Sequence, residues 1–286
     1  MRKVFKKDLP VFQFHLLQKF SDDLEHAVTC RIGGVSKAPY DELNLSFSVG
    51  DDEKAVQKNR QILSEALGVK NIVGANQTHS KNILVIDEEF ARYCDLGPEP
   101  ANIDGFVTAL SGIGLLLKVA DCQAILMFDP VKKVIAAVHA GWKGQVQDIS
   151  GQAIKIMREN FGVDPANILV GISPSLGPCC AFFSDPRSEL PKSFEPFILD
   201  NNRVDLWGYS LWQLQQHGVL PEHVELARVC SFCSGHNGIR GLSSSALTNE
   251  QAGELPEGSV LPAGKFYSFR RNLGITGRFG GMIFLK

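Results

Sequence analysis

The sequence predicts a single α/β (α+β) domain over residues 1–286, with mixed β-sheets flanked by helices. Three observations carry that reading. Short apolar runs of strand length are interleaved with amphipathic segments of helical period, but without the strict alternation of a parallel βαβ fold. No internal repeat, low-complexity block or linker divides the 286 residues. The composition, 44% hydrophobic and 21% charged, is that of an ordinary globular chain with ample material for a core.

Taken in order, Phe14 to Phe20 and Glu25 to Arg31 read as strands, the second closing at a Gly33-Gly34 turn. Asn44 to Val49 alternates apolar and polar residues, again as a strand does. Asp51-Asp52-Glu53 opens a helix with Val56, Ile62, Leu63 and Leu67 as its apolar positions and Gly68 as its stop. Ile72 to Ala75 and Ile83 to Ile86 are strands on either side of the polar segment Asn76-Gln77-Thr78-His79-Ser80, and residues 92 to 105 form a loop. Three apolar runs follow, Phe106 to Leu110, Ile113 to Ala120 and Ala124 to Phe128, then a turn at Asp129-Pro130 and a strand from Val134 to His139. Gln145 to Phe161 carries Val146, Ile149, Ala153, Ile154, Met157 and Phe161 at helical spacing. Ile168 to Ile172 is a strand leading to a loop that ends at Cys179-Cys180, and Trp207 to His217 is helical. The tail holds two short strand candidates, around Arg270-Arg271-Asn272 and around Gly277-Arg278.

Charge and cysteine usage narrow the function. Lys and Arg total 29 against 31 Asp and Glu, so no global field favours nucleic acid or an anionic membrane as partner. The longest apolar run, Ile113 to Ala120, contains Lys118 and falls far short of the roughly 20 residues of a membrane helix. Asp8, Pro10, Gln13, His15 and Gln18 interrupt any signal-peptide core in the basic opening segment. Seven cysteines without a secretion signal indicate reduced thiols in the cytoplasm, with any special Cys serving a metal or a reaction.

Ala120-Asp121-Cys122 and Val138-His139-Ala140 lie at the ends of strands joined through Asp129-Pro130-Val131-Lys132. In a tight hairpin pairing Asp129 with Lys132, paired numbers total 261, as those of Cys122 and His139 do, which sets the two side chains on one face about 5 Å apart. A one-residue bulge would instead put one of them on the opposite face, and a buried Cys and His near strand ends is the plain alternative. His139 also leads through Gly141-Trp142-Lys143-Gly144 into a helix, whose first turn offers N–H groups to an anion. A catalytic zinc takes three protein ligands, and His79, in its polar segment between apolar strands, stands out as the third. Cys230-x-x-Cys233 with His236 suggests a second site but lacks a fourth ligand at standard spacing, and Cys179-Cys180 reads as loop lining.

These segments together resemble the laccase-domain family of purine nucleoside enzymes, whose members are also labelled multicopper polyphenol oxidases and peptidoglycan editing factors. The resemblance runs through Arg31-Ile-Gly-Gly-Val-Ser36, Leu43-Asn44-Leu45, Val49-Gly50-Asp51-Asp52, Gln77-Thr-His79, Ala120-Asp-Cys122, His139-Ala-Gly-Trp-Lys-Gly144, Gly177-Pro-Cys179, Ser268-Phe-Arg-Arg271 and Gly277-Arg278. It implies a fold of the CNF1/YfiH-like cysteine-hydrolase type and places the zinc ligands, and the catalytic centre, on His79, Cys122 and His139. The implied reactions are phosphorolysis of adenosine, inosine and methylthioadenosine to the free base and (methylthio)ribose 1-phosphate, and hydrolytic deamination of adenosine. Phosphate suits guanidinium groups, which selects Arg31 and Arg271, with Lys143 and Arg278 in reserve; Asn44 and Gln77 complete the expected substrate contacts. Asp121 is either a residue that orients a ligand or a turn cap. The chain departs from the family pattern at Ser80, at Ile103-Asp104-Gly105 and at Ala181-Phe182, positions that bear on substrate preference.

Two other enzyme readings stand beside this one. A copper-dependent phenol oxidase with several copper sites needs many His-x-His pairs, whereas this chain has seven His and no such pair; copper could still enter the same three-ligand site. A thiol or zinc hydrolase would use Cys122 with His139 as base and could act on a muropeptide precursor.

Overall fold

The computed structural model describes residues 1–93, 99–233 and 264–286, which leaves Cys94 and His236 outside the described residues. The strands are β1 (Arg2–Lys6), β2 (Leu9–Gln13), β3 (Leu24–Thr29), β4 (Asn71–Val73), β5 (Ile83–Val85), β6 (Gly105–Thr108), β7 (Ile113–Val119), β8 (Gln123–Asp129), β9 (Val134–Ala140), β10 (Leu169–Ile172), β11 (Ile198–Leu199), β12 (Arg203–Val204), β13 (Val224–Leu226) and β14 (Phe279–Leu285). The helices are α1 (His15–Gln18), α2 (Glu53–Leu67), α3 (Glu88–Tyr93), α4 (Trp142–Val146), α5 (Ile149–Phe161), α6 (Pro186–Glu189) and α7 (Leu206–Gln216). Two six-stranded mixed sheets form, ordered β1-β2-β3-β14-β7-β4 and β13-β10-β8-β9-β6-β5. The class is therefore the mixed α/β one expected. Among the described residues no helix is long and apolar enough to cross a membrane.

The four strands β7, β8, β9 and β14 are buried along their whole length. Their sequences are correspondingly near-continuous apolar runs rather than alternating ones, because both faces of each strand are covered. Leu115, Leu117, Val119, Phe279 and Ile283 of the first sheet pack against Ala124, Leu126, Phe128, Ile135 and Ala137 of the second. Helix α5 covers the outer face of the second sheet through Ile149, Ala153, Ile154 and Met157. Helix α2 covers the first through Leu63 and Leu67. Asp52 caps α2 by accepting the Lys54 N–H and, as expected from sequence, Gly68 ends the helix in the left-handed region at φ +76°.

Several local expectations give way to tertiary context. Phe14 to Phe20 is not a strand: the ladder ends at Gln13 and the chain turns into α1, with Phe14 buried against Gly171, where any Cβ would sit 2.3 Å from the Phe14 ring. Asn44 to Val49 forms no ladder either. Asn44 and Ser46 satisfy the local backbone with their own side chains, Asn44 Nδ2 donating to Ser46 O and Oδ1 accepting from Ser46 N at 3.1 Å each. The helix expected from Gln145 to Phe161 is two, because Asp148 takes a left-handed conformation (φ 57°) and caps a new helix through the Gly151 N–H. In the tail, residues around Arg270 form turns, and β14 begins only at Phe279.

The β8–β9 hairpin forms with a different register. Asp129 pairs with Val134 and Ala124 with His139, so paired numbers total 263, not 261. The loop is four residues, with Lys133 at φ 54° and Asp129 Oδ1 accepting the Val131 N–H. A slip of two residues keeps the side-chain parity, so Cys122 and His139 remain on one face as diagonal neighbours.

The two sheets pack closely where Gly281 of β14 faces Ala124 of β8: a Cβ on Gly281 would lie 2.6 Å from the Ala124 Cβ. Gly281→Ala is therefore expected to destabilise the fold by about 1–3 kcal/mol through overpacking, read from the urea unfolding midpoint. An unchanged midpoint would mean that the sheets can part there at no cost.

Candidate metal centre

The hairpin and its neighbours bring His79, Cys122 and His139 together, with one ligand atom from each lying within 4.8 Å of the others. Cys122 follows β7 at the entrance to β8, His139 lies near the end of β9, and His79 comes from the loop between β4 and β5. Cys122 Sγ is 3.7 Å from His79 Nε2, and the two imidazole rings are 4.8 Å apart between centroids. Tetrahedral zinc bonded to sulfur and nitrogen at its usual distances separates such a pair by about 3.6 Å. The donor set of two imidazoles and one thiolate thus fits a zinc ion with one position left for solvent or substrate.

Asp104, which the sequence reading did not assign a role, holds this arrangement. Its carboxylate is fully buried and takes the His139 Nδ1 at 2.8 Å, the backbone N–H groups of Thr78, His79 and Ser80 at 3.1, 3.0 and 2.7 Å, and the Ser80 hydroxyl at 2.8 Å. With Nδ1–H donated to Asp104, His139 keeps Nε2 as its free lone pair. The sequence signals were the Ile103-Asp104-Gly105 segment and an acidic residue immediately before β6, but the relation of Asp104 to position 79 is invisible without the fold. His79 adopts φ 62°, a left-handed conformation costly for a non-glycine residue, and Asp104 bonding on both sides of it supplies the compensation.

Gly141 provides the room. A Cβ there would stand 2.8 Å from Cys122 Sγ and 2.9 Å from His79 Cδ2. Asp121 is also left-handed, at φ 87°. It accepts the Ser231 hydroxyl at 2.6 Å and the Arg270 N–H at 2.7 Å, and its carbonyl accepts the Leu176 N–H at 2.8 Å. It therefore ties three remote segments to the residue preceding the thiol.

Electrostatics couples Cys122 with His139. Burial opposes ionisation of both. Against it, the His139 charge and hydrogen bonds from both histidines pull the Cys122 thiol down to about 6. The Cys122 charge and the Asp104 bond push His139 up to about 9. Burial likewise works against the Asp104 carboxylate, but its hydrogen bond with His139 holds it well below the usual carboxylate range.

The ligand triad lies on a cavity of about 550 Å³, a size suited to a small-molecule substrate. Gln77, Lys143 and Arg278 line it. Gln77 is already engaged with the β7 backbone, donating to Lys118 O and accepting from Lys118 N. Three other expected contacts are elsewhere. Arg31 is paired with Asp41 through Nη2 at 2.5 Å and lies over the Tyr267 ring. The Arg271 guanidinium is spent on the carbonyls of Ser231, Phe232 and Phe266. Asn44 is fully buried and bonds Ser46, Asp51 and the Arg278 backbone. The cation found at the wall instead is Arg270, beside Phe269. The segment after His139 opens as the five-residue helix α4, and Gly141, Trp142 and Lys143 at its start line the cavity.

Comparisons with known proteins show which sequences and folds the chain is similar to. Residues 25–237 match the family model described as multi-copper polyphenol oxidoreductase laccase. A protein of Streptomyces griseus named purine nucleoside phosphorylase ORF3 is 31% identical over 266 residues, covering 91% of this chain and 93% of its own. Purine nucleoside phosphorylase SCO2081 of Streptomyces coelicolor is 39% identical over 166 residues, 57% of this chain and 66% of that protein. The crystal structure of YlmD from Geobacillus stearothermophilus superposes with a TM-score of 0.72 at 26% identity, covering 92% of both chains.

Two outcomes follow from the site. In metal-stripped protein, alkylation of Cys122, followed by peptide mass mapping, should rise through a midpoint near pH 6, because the thiolate forms there. An ordinary thiol near 8.5 would show no such shift. Asp104→Asn removes the carboxylate that favours the imidazolium, so the midpoint should move upward and metal affinity, read against a competing chelator, should weaken about 10–100-fold.

Proposed function

Since the chain belongs to the multi-copper polyphenol oxidoreductase laccase family, and its full-length relatives are named purine nucleoside phosphorylases, we propose that it is a zinc-dependent enzyme that cleaves purine nucleosides with phosphate. Adenosine, inosine and methylthioadenosine are the proposed substrates, and hydrolytic deamination of adenosine is a second reaction of the same site. The carrying observation is the convergence of His79, Cys122 and His139 on one cavity with an open side.

When bound, zinc would supply Lewis acidity at neutral pH. Everything else falls to the chain. Asp104 fixes His139 in the tautomer that presents Nε2. Arg270, Arg278 and Lys143 set positive charge along the wall, where a phosphate dianion would be held against the ribose. Among the described residues, the Arg278 side chain donates through Nη1, to Thr276 O and Gly277 O, which leaves Nη2 for an anion. Trp142 and Phe269 give the cavity aromatic faces for a purine. One metal in a three-ligand site, rather than a multi-copper cluster, is what this donor set supports.

One observation favours a second reading. Cys122, His139 and Asp104 stand in the order of a thiol–imidazole–carboxylate triad, which suits a metal-free hydrolase acting on a muropeptide precursor or similar amide. A chelator separates the two readings, since only the first loses activity with the metal.

Incubation with adenosine, with and without phosphate, followed by chromatography of bases and nucleosides, tests the proposal. Phosphate-dependent release of adenine is expected, falling at least about 100-fold in Cys122→Ala. Full activity in that variant would place the chemistry elsewhere.

A further inference from the structure

A second group of metal-ligating side chains lies outside the cavity. Cys179 and Cys180, in the turn after β10, meet Cys230 and Cys233, in the turn after β13. The four Sγ atoms all lie within 4.8 Å of one another, with Cys179 and Cys233 at 3.5 Å. Taken separately, a vicinal cysteine pair and a lone C-x-x-C are weak signals. The fold brings them together across about 50 residues of sequence.

We propose that these four cysteines form a closed tetrathiolate site for a structural zinc ion, distinct from the His79–Cys122–His139 centre. Four thiolates around zinc at the usual Zn–S length stand about 3.8 Å apart, which falls inside the observed spread. An iron–sulfur cubane places several atoms between its thiolates and needs a wider cage. The surroundings are those of a thiolate site. The Gly177 N–H donates to Cys230 Sγ at 3.3 Å. Gly177 must be glycine for that approach, because a Cβ would stand 3.1 Å from the Cys230 Cβ and 2.9 Å from the Trp207 ring. A parallel bridge between Ser175 and Cys230 lines up the two ligand turns. Cys180 and Cys230 are buried and Cys179 and Cys233 half-buried, so an ion there would have no open position.

The site also has a structural task. Ser231, between two of the cysteines, donates to Asp121, the neighbour of Cys122, at 2.6 Å. Arg271 donates to Ser231 O and Phe232 O, and Arg270 Nη1 to Cys180 O at 3.1 Å. A metal clasp at this point would fasten the strap that carries Arg270 to the cavity wall. Binding converts the thiols to thiolates with release of their protons, so the affinity falls as pH falls.

The test is metal counting and cobalt substitution in the full-length, reduced protein. Elemental analysis should find two zinc ions per chain. Cys230→Ser/Cys233→Ser should lose one, and Cys122→Ala should lose the other. In cobalt-substituted wild type, the thiolate-to-metal charge-transfer absorption should have the intensity of four thiolates on one ion plus one on the other. This reading stands even if a variant fails to fold. The proposal is overturned if wild type binds one ion with the absorption of a single thiolate, or if peptide mapping finds a disulfide among the four cysteines in protein kept under reductant. Iron in that site in place of zinc would overturn the metal assignment.

Discussion

The buried carboxylate of Asp104 is where the architecture of the site is decided. A charge with no solvent exposure is tolerable only when its lone pairs are filled, and leaving such a group unpaired costs several kcal/mol. Its five donors come from the two parts of the chain that must be aligned, the loop of residues 78–80 and the imidazole of His139. The backbone repeats the constraint, since the His139 N–H donates to Asp104 O at 2.7 Å. Satisfying the carboxylate and aligning the two histidine ligands are therefore one event. The same bonds keep His79 in a backbone conformation it would not otherwise hold.

The thiol arm is held differently. Cys122 follows Asp121, whose left-handed backbone is stabilised by contacts from Leu176, Ser231 and Arg270. Those residues are far apart in the chain but converge because β10 lies beside β8 in the second sheet, while the segment before β14 returns across the cavity. The His79 arm is further tied by Gln147, whose amide donates to His79 O at 3.0 Å from the kink between α4 and α5. That kink, which broke the expected single helix, is thus used by the site.

Where sequence reasoning succeeded, the cause is local physics. The helix from Glu53 was legible because acidic residues at its start and termination at Gly68 are properties of a few neighbouring residues. The strongly apolar strands were legible because burial on both faces leaves no polar alternation. The face shared by Cys122 and His139 survived a register error because that error was an even number of residues. The substrate contacts fared worse. Arg31, Arg271 and Asn44 are polar residues in motif-like segments, but carboxylates and carbonyls from distant strands already satisfy them. A sequence displays the donors of a guanidinium without displaying which acceptors will reach it.

By itself, then, the sequence determined the α/β class, the central strands and the three residue types able to ligate a metal, because periodicity, burial and donor chemistry belong to short stretches of chain. Only the tertiary structure decided that Asp104 is the anchor, that Arg270 rather than Arg271 faces the cavity, and that four scattered cysteines share one point in space. These are long-range facts. They depend on which strands become neighbours when two sheets close over a common core, and no local pattern encodes that choice.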